Sequence, residues 1–123
     1  DCLLSRGLGD VYKRQDQSRA FCFVDDAIRA TQLVMEKEET NGKIVHIGNS
    51  DEEIKIMDLA RKIIKLSGFN VNIIKSDPPL GSINKRCPDI SLLKSFGFHP
   101  KTNLQEGLNI FLNWYNSDFT NNK

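Results

Sequence analysis

Between residues 43 and 76 the hydrophobic period of the chain changes twice. Residues 43–48, KIVHIG, form a β-branched run that ends in the turn formers Gly48, Asn49, Ser50 and Asp51, the pattern of a short buried strand. Residues 54–67 then place Ile56, Leu59, Ala60, Ile63 and Ile64 on one helical face, with Lys55, Arg61, Lys62 and Lys65 elsewhere and Gly68 just beyond; this predicts an amphipathic helix with a glycine stop. Val71 and Ile73 resume the alternation of a strand within residues 70–76, before the loop Asp77-Pro78-Pro79-Leu80-Gly81. A chain that alternates these periods is confined to layered α/β or α+β folds, because each amphipathic element must bury one face against another.

The flanking segments continue the pattern. Residues 19–24 alternate Phe21 and Phe23 with smaller neighbours, a short strand that Asp25 and Asp26 interrupt. Either aspartate can cap a helix running to about Lys37, with Ala27, Ala30, Thr31, Val34 and Met35 inward and Arg29, Gln32 and Glu36 outward. Asn41-Gly42 breaks the chain, and Pro88-Asp89 opens a short helix that Gly97 closes. From Leu104, residues Gly107, Leu108, Phe111, Leu112 and Tyr115 keep helical spacing, with Thr102 and Gln105, or Asn103 and Glu106, as a capping box. Residues 117–123 read as a polar tail. Three or four short strands make a thin sheet for a complete fold, so further polypeptide is expected upstream. Residues 1–15, DCLLSRGLGDVYKRQ, carry no period that connects to the rest and are expected to be an adapter-like, non-native segment. Gly7 and Gly9 do not open a dinucleotide-binding turn, since G-x-G-x-x-G would need glycine where Tyr12 stands.

Composition removes several function classes. The chain has 123 residues, one domain or part of one, with 17 Lys+Arg against 16 Asp+Glu and a formal charge of +1. No basic footprint for nucleic acid is present, and no apolar stretch is long enough for a membrane span. Cys2, Cys22 and Cys87 are odd in number and hold no C-x-x-C pair, so reduced thiols packed as small hydrophobes and a cytoplasmic location are expected. His46 and His99 have no neighbours at metal-ligand spacing, and no metal is expected.

Anion recognition has clear candidates. Arginine suits phosphate because its planar guanidinium presents paired donors and stays charged. Arg19 stands before a predicted strand, and Arg86 sits in Lys85-Arg86-Cys87-Pro88, where Pro88 restrains the backbone before a helix. Asp89 reads first as the cap of that helix and second as an acceptor orienting Arg86.

Three linked stretches resemble the C-terminal third of the extended short-chain dehydrogenase/reductase family of nucleotide-sugar epimerases, dehydratases and decarboxylases. Gln17, Arg19, Phe21, Val24 and Asp26 match Q-x-R-x-F-x-x-V-x-D, and His46, Ile47, Gly48, Asn49 and Glu52 match N-I-G-N-x-x-E with histidine in the first place. Arg86, Pro88, Asp89 and Ile90 match R-x-P-D-I, followed by Gly97-Phe98-His99-Pro100, Leu104 to Leu108 and Trp114-Tyr115. The resemblance implies a Rossmann-type α/β fragment of few short strands alternating with helices, with residues 16–116 as its nucleotide-sugar-binding part. It implies that Arg19 and Arg86 hold a substrate diphosphate from two sides, with Gln17 and Asp89 as further substrate-binding residues. The parent enzyme is then NAD-dependent, takes a nucleotide-diphosphate sugar and is a homodimer. No catalytic residue is expected here, because Y-x-x-x-K is missing: Tyr12 is followed at the fourth position by Asp16 and Tyr115 by Phe119. The segment alone is expected to be inactive and to lack the glycine-rich NAD motif. The family often places Ser or Thr where Lys55 stands, so the helix that follows is expected to start without a side-chain cap. Two competing readings are a stand-alone, non-catalytic α/β small-ligand binding module and an interaction domain using the helix from Leu104 to Tyr115.

Overall fold

A computed structural model describes residues 17–74 and 83–120. The chain divides into two compact units, one holding residues 17–19, 54–74 and 83–86 and the other 20–53 and 87–120 among those described. The elements are β1 (Ser18–Ala20), α1 (Val24–Glu36), a 3-10 turn (Glu38–Thr40), β2 (Glu53–Lys55), α2 (Ile56–Ser67), β3 (Lys85–Arg86), α3 (Ser91–Ser95) and α4 (Leu104–Thr120). The class is α/β, as its alternating periods require. The predicted non-native segment 1–15 and the loop 77–81 lie outside the described residues.

The sheet belongs to the first unit in its pairing. Its order is β2-β1-β3, and β1 runs parallel to β3 with Ser18 opposite Lys85 and Arg19 opposite Arg86. Ser18 N donates to Asn84 O at 2.9 Å and Ile56 N to Gln17 O at 2.9 Å, extending the ladder past both ends of β1. Helix α2 starts at Ile56, after β2 rather than at Ile54, and its N-cap residue Lys55 makes no side-chain capping bond. Asp58 in the first turn stands near the positive end of the helix and takes Arg61 Nη1 at 3.1 Å. The stop is the expected one: Gly68 has φ 71°, the left-handed cap conformation, and donates its N–H to Ile64 O at 3.1 Å.

In the second unit, Ala30, Ile90, Leu93 and Phe98 form the buried core, with Leu33, Val34 and Val45 packed against it. Burial of the larger of these side chains contributes about 1.5–3 kcal/mol each. The inward face of α1 therefore runs through Asp26, Ala30, Leu33 and Val34, not through Thr31 and Met35; Met35 is 81% exposed. Sequence periodicity put Met35 inward on apolarity alone, whereas the inward stripe is set by a carboxylate with partners waiting for it. Asp26 does not cap α1 either. Phe23 occupies the N-cap position with no side-chain bond, and Asp26, 1% exposed, accepts backbone N–H groups from Lys101 (3.1 Å) and Thr102 (2.9 Å) and pairs with Arg29 Nη1 at 2.5 Å. Arg29, expected to face outward, also donates to His99 O at 3.2 Å and lies 5.6 Å from the Phe98 ring centroid.

Two predicted strands do not form. Residues 43–48 and 70–74 carry no ladder, and Ile44 is 86% exposed. A β-branched run becomes a strand only when a neighbour takes its backbone hydrogen bonds, and none of the described residues does so. Likewise β1 ends at Ala20, and Val24, expected in the strand, opens α1. Gly48 is buried because its position is filled from outside: a Cβ there would meet Pro88 Cγ at 2.6 Å. Helix α4 begins as its second capping alternative predicts, with Glu106 N donating to Asn103 Oδ1 at 2.9 Å. It continues through Thr120 into the polar stretch, and Gly107 admits Phe23, whose Cδ2 would lie 3.0 Å from an added Cβ.

Asp26→Ala is expected to lower unfolding stability by about 3 kcal/mol, since it strands two half-buried N–H groups and Arg29. Asn103→Ala is expected to cost about 1 kcal/mol. Urea denaturation of the two variants checks both magnitudes and their order.

Candidate functional site

Gln17 and Arg19 stand two residues apart along an extended segment, so their side chains share one face of the sheet. That is why Gln17 Oε1 accepts from Arg19 Nη2 at 2.8 Å. Arg19 Nη2 also donates to Ile83 O at 3.0 Å, and Nη1 to Ser18 O at 2.7 Å. Three oxygen acceptors thus fix the guanidinium plane. Bonds to a charged donor contribute about 1.5–3 kcal/mol each.

The parallel register then brings in the second arginine. Arg19 and Arg86 are direct cross-strand partners, and residues paired in register project from the same face of a sheet. Arg86 is exposed, and its guanidinium makes no hydrogen bond or ion pair among the described residues. Two like charges side by side on adjacent strands repel. Gln17 itself is 2% exposed and its Nε2 has no hydrogen-bond partner among the described residues, a cost of about 1–3 kcal/mol for a buried donor. Arg86, far along the chain from Gln17 and Arg19, therefore lies in the same unit, opposite Arg19 in the sheet.

Asp89 lies in the other unit and works locally. Its Oδ1 accepts from Ser91 N at 2.9 Å and from the Ser91 hydroxyl, which ties down the start of α3. The Ser91 side-chain bond, then the Ser91 backbone bond, hold the Asp89 carboxyl below its ordinary pKa, with a smaller contribution from His46. Cys22 behaves as a structural thiol: burial first, and the Asp26 carboxylate second, push its pKa up, which suppresses the reactive thiolate. Cys22 and Cys87 are both unbridged. Among the described residues there is no cluster of His, Cys, Asp or Glu able to hold a metal, and no helix long and apolar enough to cross a membrane. One feature escaped sequence reading: the exposed apolar side chains of Val24, Ile28 and Met35 on α1. The sequence pattern reads Met35 as inward and Val24 as part of a strand, and gives Ile28 no place.

No family model matches the chain. Curated proteins do. It is 34% identical over 112 residues to a UDP-N-acetyl-alpha-D-glucosaminuronate decarboxylase of Bacillus cytotoxicus, covering 85% of this chain and 34% of that protein. It is 33% identical over 99 residues to UDP-glucuronic acid decarboxylase 6 of Arabidopsis thaliana, covering 80% and 28%. Among solved structures, a UDP-glucuronic acid 4-epimerase from Bacillus cereus matches with a TM-score of 0.77 and 25% identity over 94% of this chain and 38% of that one. A dTDP-glucose 4,6-dehydratase from Bacillus anthracis shares the fold, with a TM-score of 0.78 at 20% identity. The α/β fold and the motif-bearing residues match one segment of these relatives. The chain belongs to the extended short-chain dehydrogenase/reductase family, and it spans about a third of the length of the curated relatives it matches.

The Asp89 carboxyl is expected to titrate below its ordinary value by carbon-detected NMR, and Ser91→Ala is expected to move it back upward. Because the folded value is the lower one, this contact stabilises at pH above the unfolded Asp value. The contribution disappears as pH falls through the folded value.

Proposed function

We propose that the chain is the nucleotide-sugar-binding part of an NAD-dependent nucleotide-sugar epimerase, dehydratase or decarboxylase, and that Arg19 and Arg86 grip the substrate diphosphate. The observation that carries this reading is the register of the parallel pair, which sets two guanidinium-bearing residues side by side. A diphosphate carries charge on two adjacent phosphoryl groups, and two guanidinium charges side by side complement it. Gln17 and Asp89 complete the proposed set, Gln17 through Arg19 and Asp89 by fixing the turn three residues beyond Arg86. The activities of the relatives, decarboxylation and epimerisation of UDP-sugars, support the substrate class.

The described residues do not fit NAD. The glycines with positive φ, Gly42, Gly68 and Gly97, sit at the ends of helices or turns, and none follows a strand as a pyrophosphate-binding turn requires. Gly48 is closed by Pro88. No step is assigned to the cofactor through this chain; its cradle and the Y-x-x-x-K acid–base pair belong, in this proposal, to the remainder of the parent. Upstream coding sequence with a glycine-rich strand–turn–helix and Y-x-x-x-K is the matching genetic expectation. The parent is proposed to be a homodimer in the cytoplasm, where unbridged thiols such as Cys22 and Cys87 persist.

In the full-length parent, Arg19→Ala or Arg86→Ala is expected to weaken UDP binding about 10- to 150-fold, the equivalent of one lost charge-assisted contact. Calorimetry showing unchanged affinity in both variants refutes the grip.

A further inference from the structure

Residues 43–47 have the composition of a strand and the bonding of none. Neither helix, turn nor bend falls within them, and among the described residues no hydrogen bond reaches a backbone N–H or C=O of Ile44, Val45, His46 or Ile47. The segment is nevertheless fixed along its length. Lys43 N donates to Thr40 O at 3.0 Å, Val45 packs against the cluster of Ala30, Ile90, Leu93 and Phe98, and Gly48 is closed against Pro88. Alternation along an extended chain turns Ile44 and His46 away from the side that Val45 occupies, and both are exposed, Ile44 by 86%. Apolar residues on both sides are the pattern of a strand covered on both faces. Open edges in water are guarded by proline or charged side chains, and residues 44–47, IVHI, contain neither.

We propose that residues 44–47 are a prepared strand edge, and that the part of the parent lying outside this chain completes it with a β-strand whose sheet also covers Ile44. This rests on the parent-enzyme reading above. The chain spans 34% and 28% of two curated relatives, so most of the parent is available to supply that strand. The size of the edge favours a segment of the same polypeptide over a separate molecule. Four residues of edge bury far less than the roughly 1,200 Å² at which specific interfaces between separate proteins begin. A covalently joined strand needs no such area, because its pairing is intramolecular and its effective concentration high. Backbone hydrogen bonds then hold the added strand, and the apolar cover over Ile44 fixes its register.

The test compares amide hydrogen exchange of the peptide spanning residues 43–48 in the 123-residue chain and in the full-length parent, by mass spectrometry, with the α1 peptide as the control for folding. The 43–48 amides are expected to exchange freely in the shorter chain and to slow by about 100-fold or more in the parent. Ile44→Lys is expected to restore fast exchange in the parent while leaving the 123-residue chain unchanged. The parent measurement decides the matter even if the shorter chain or the variant fails to fold. If the parent binds UDP and Arg86→Ala weakens that binding, yet its 43–48 amides exchange freely, the added strand is overturned and the nucleotide-sugar reading stands. Protection that appears in the 123-residue chain alone and rises with its concentration makes a second copy the occupant, and also overturns the proposal. If the gene encodes no polypeptide upstream, the parent reading fails and the strand falls with it.

Discussion

A carboxylate withdrawn from water must be met by donors, and Asp26 imposes that condition on the second unit. Its oxygens accept from Lys101 N, Thr102 N and Arg29 Nη1, so the third residue of α1 fixes the segment that leads into α4. Once Lys101 and Thr102 are held, Asn103 is in place to cap α4 through Glu106 N. Arg29, drawn inward by the same carboxylate, covers Phe98 and takes up His99 O. The apolar cluster of Ala30, Ile90, Leu93 and Phe98 is small, and burial alone is non-directional. The polar network supplies the direction, at the cost that every member has to be present.

The first unit is governed by backbone register. A slip of one residue between β1 and β3 would move Arg86 to the opposite face from Arg19; Ser18 N on Asn84 O and the Arg19 Nη2 bond to Ile83 O both oppose that slip. The same bonds that position the proposed anion site therefore also hold the sheet. Only a third of the relatives' length is represented, and the apolar stripe of Val24, Ile28 and Met35 on α1 stands open. Such a surface is what a chain of this composition shows when the described residues alone must supply its packing.

Much of the local structure was legible. The face and glycine stop of α2, the turn from Pro88 into α3 and the Asn103 cap were all written in neighbouring residues, because helix periodicity and capping act over one or two turns. The missing side-chain cap at Lys55 was legible for the same reason. Errors fell where a distant partner decides. KIVHIG has strand composition but no strand to pair with among the described residues, and Met35 has an apolar side chain but is exposed. Asp26 looked like a cap because Asp usually caps; its true partners lie seventy-five residues on.

The sequence by itself determined the alternation of helix and strand periods, the helix ends and the motif residues that mark the family, since each depends on contacts within a few positions. Tertiary structure alone decided that Arg19 stands opposite Arg86, that the Gln17 amide is buried with one end unmade, and that Asp26 turns inward. Those outcomes depend on which remote segment completes a hydrogen bond or fills a cavity, and no local pattern encodes the identity of that segment.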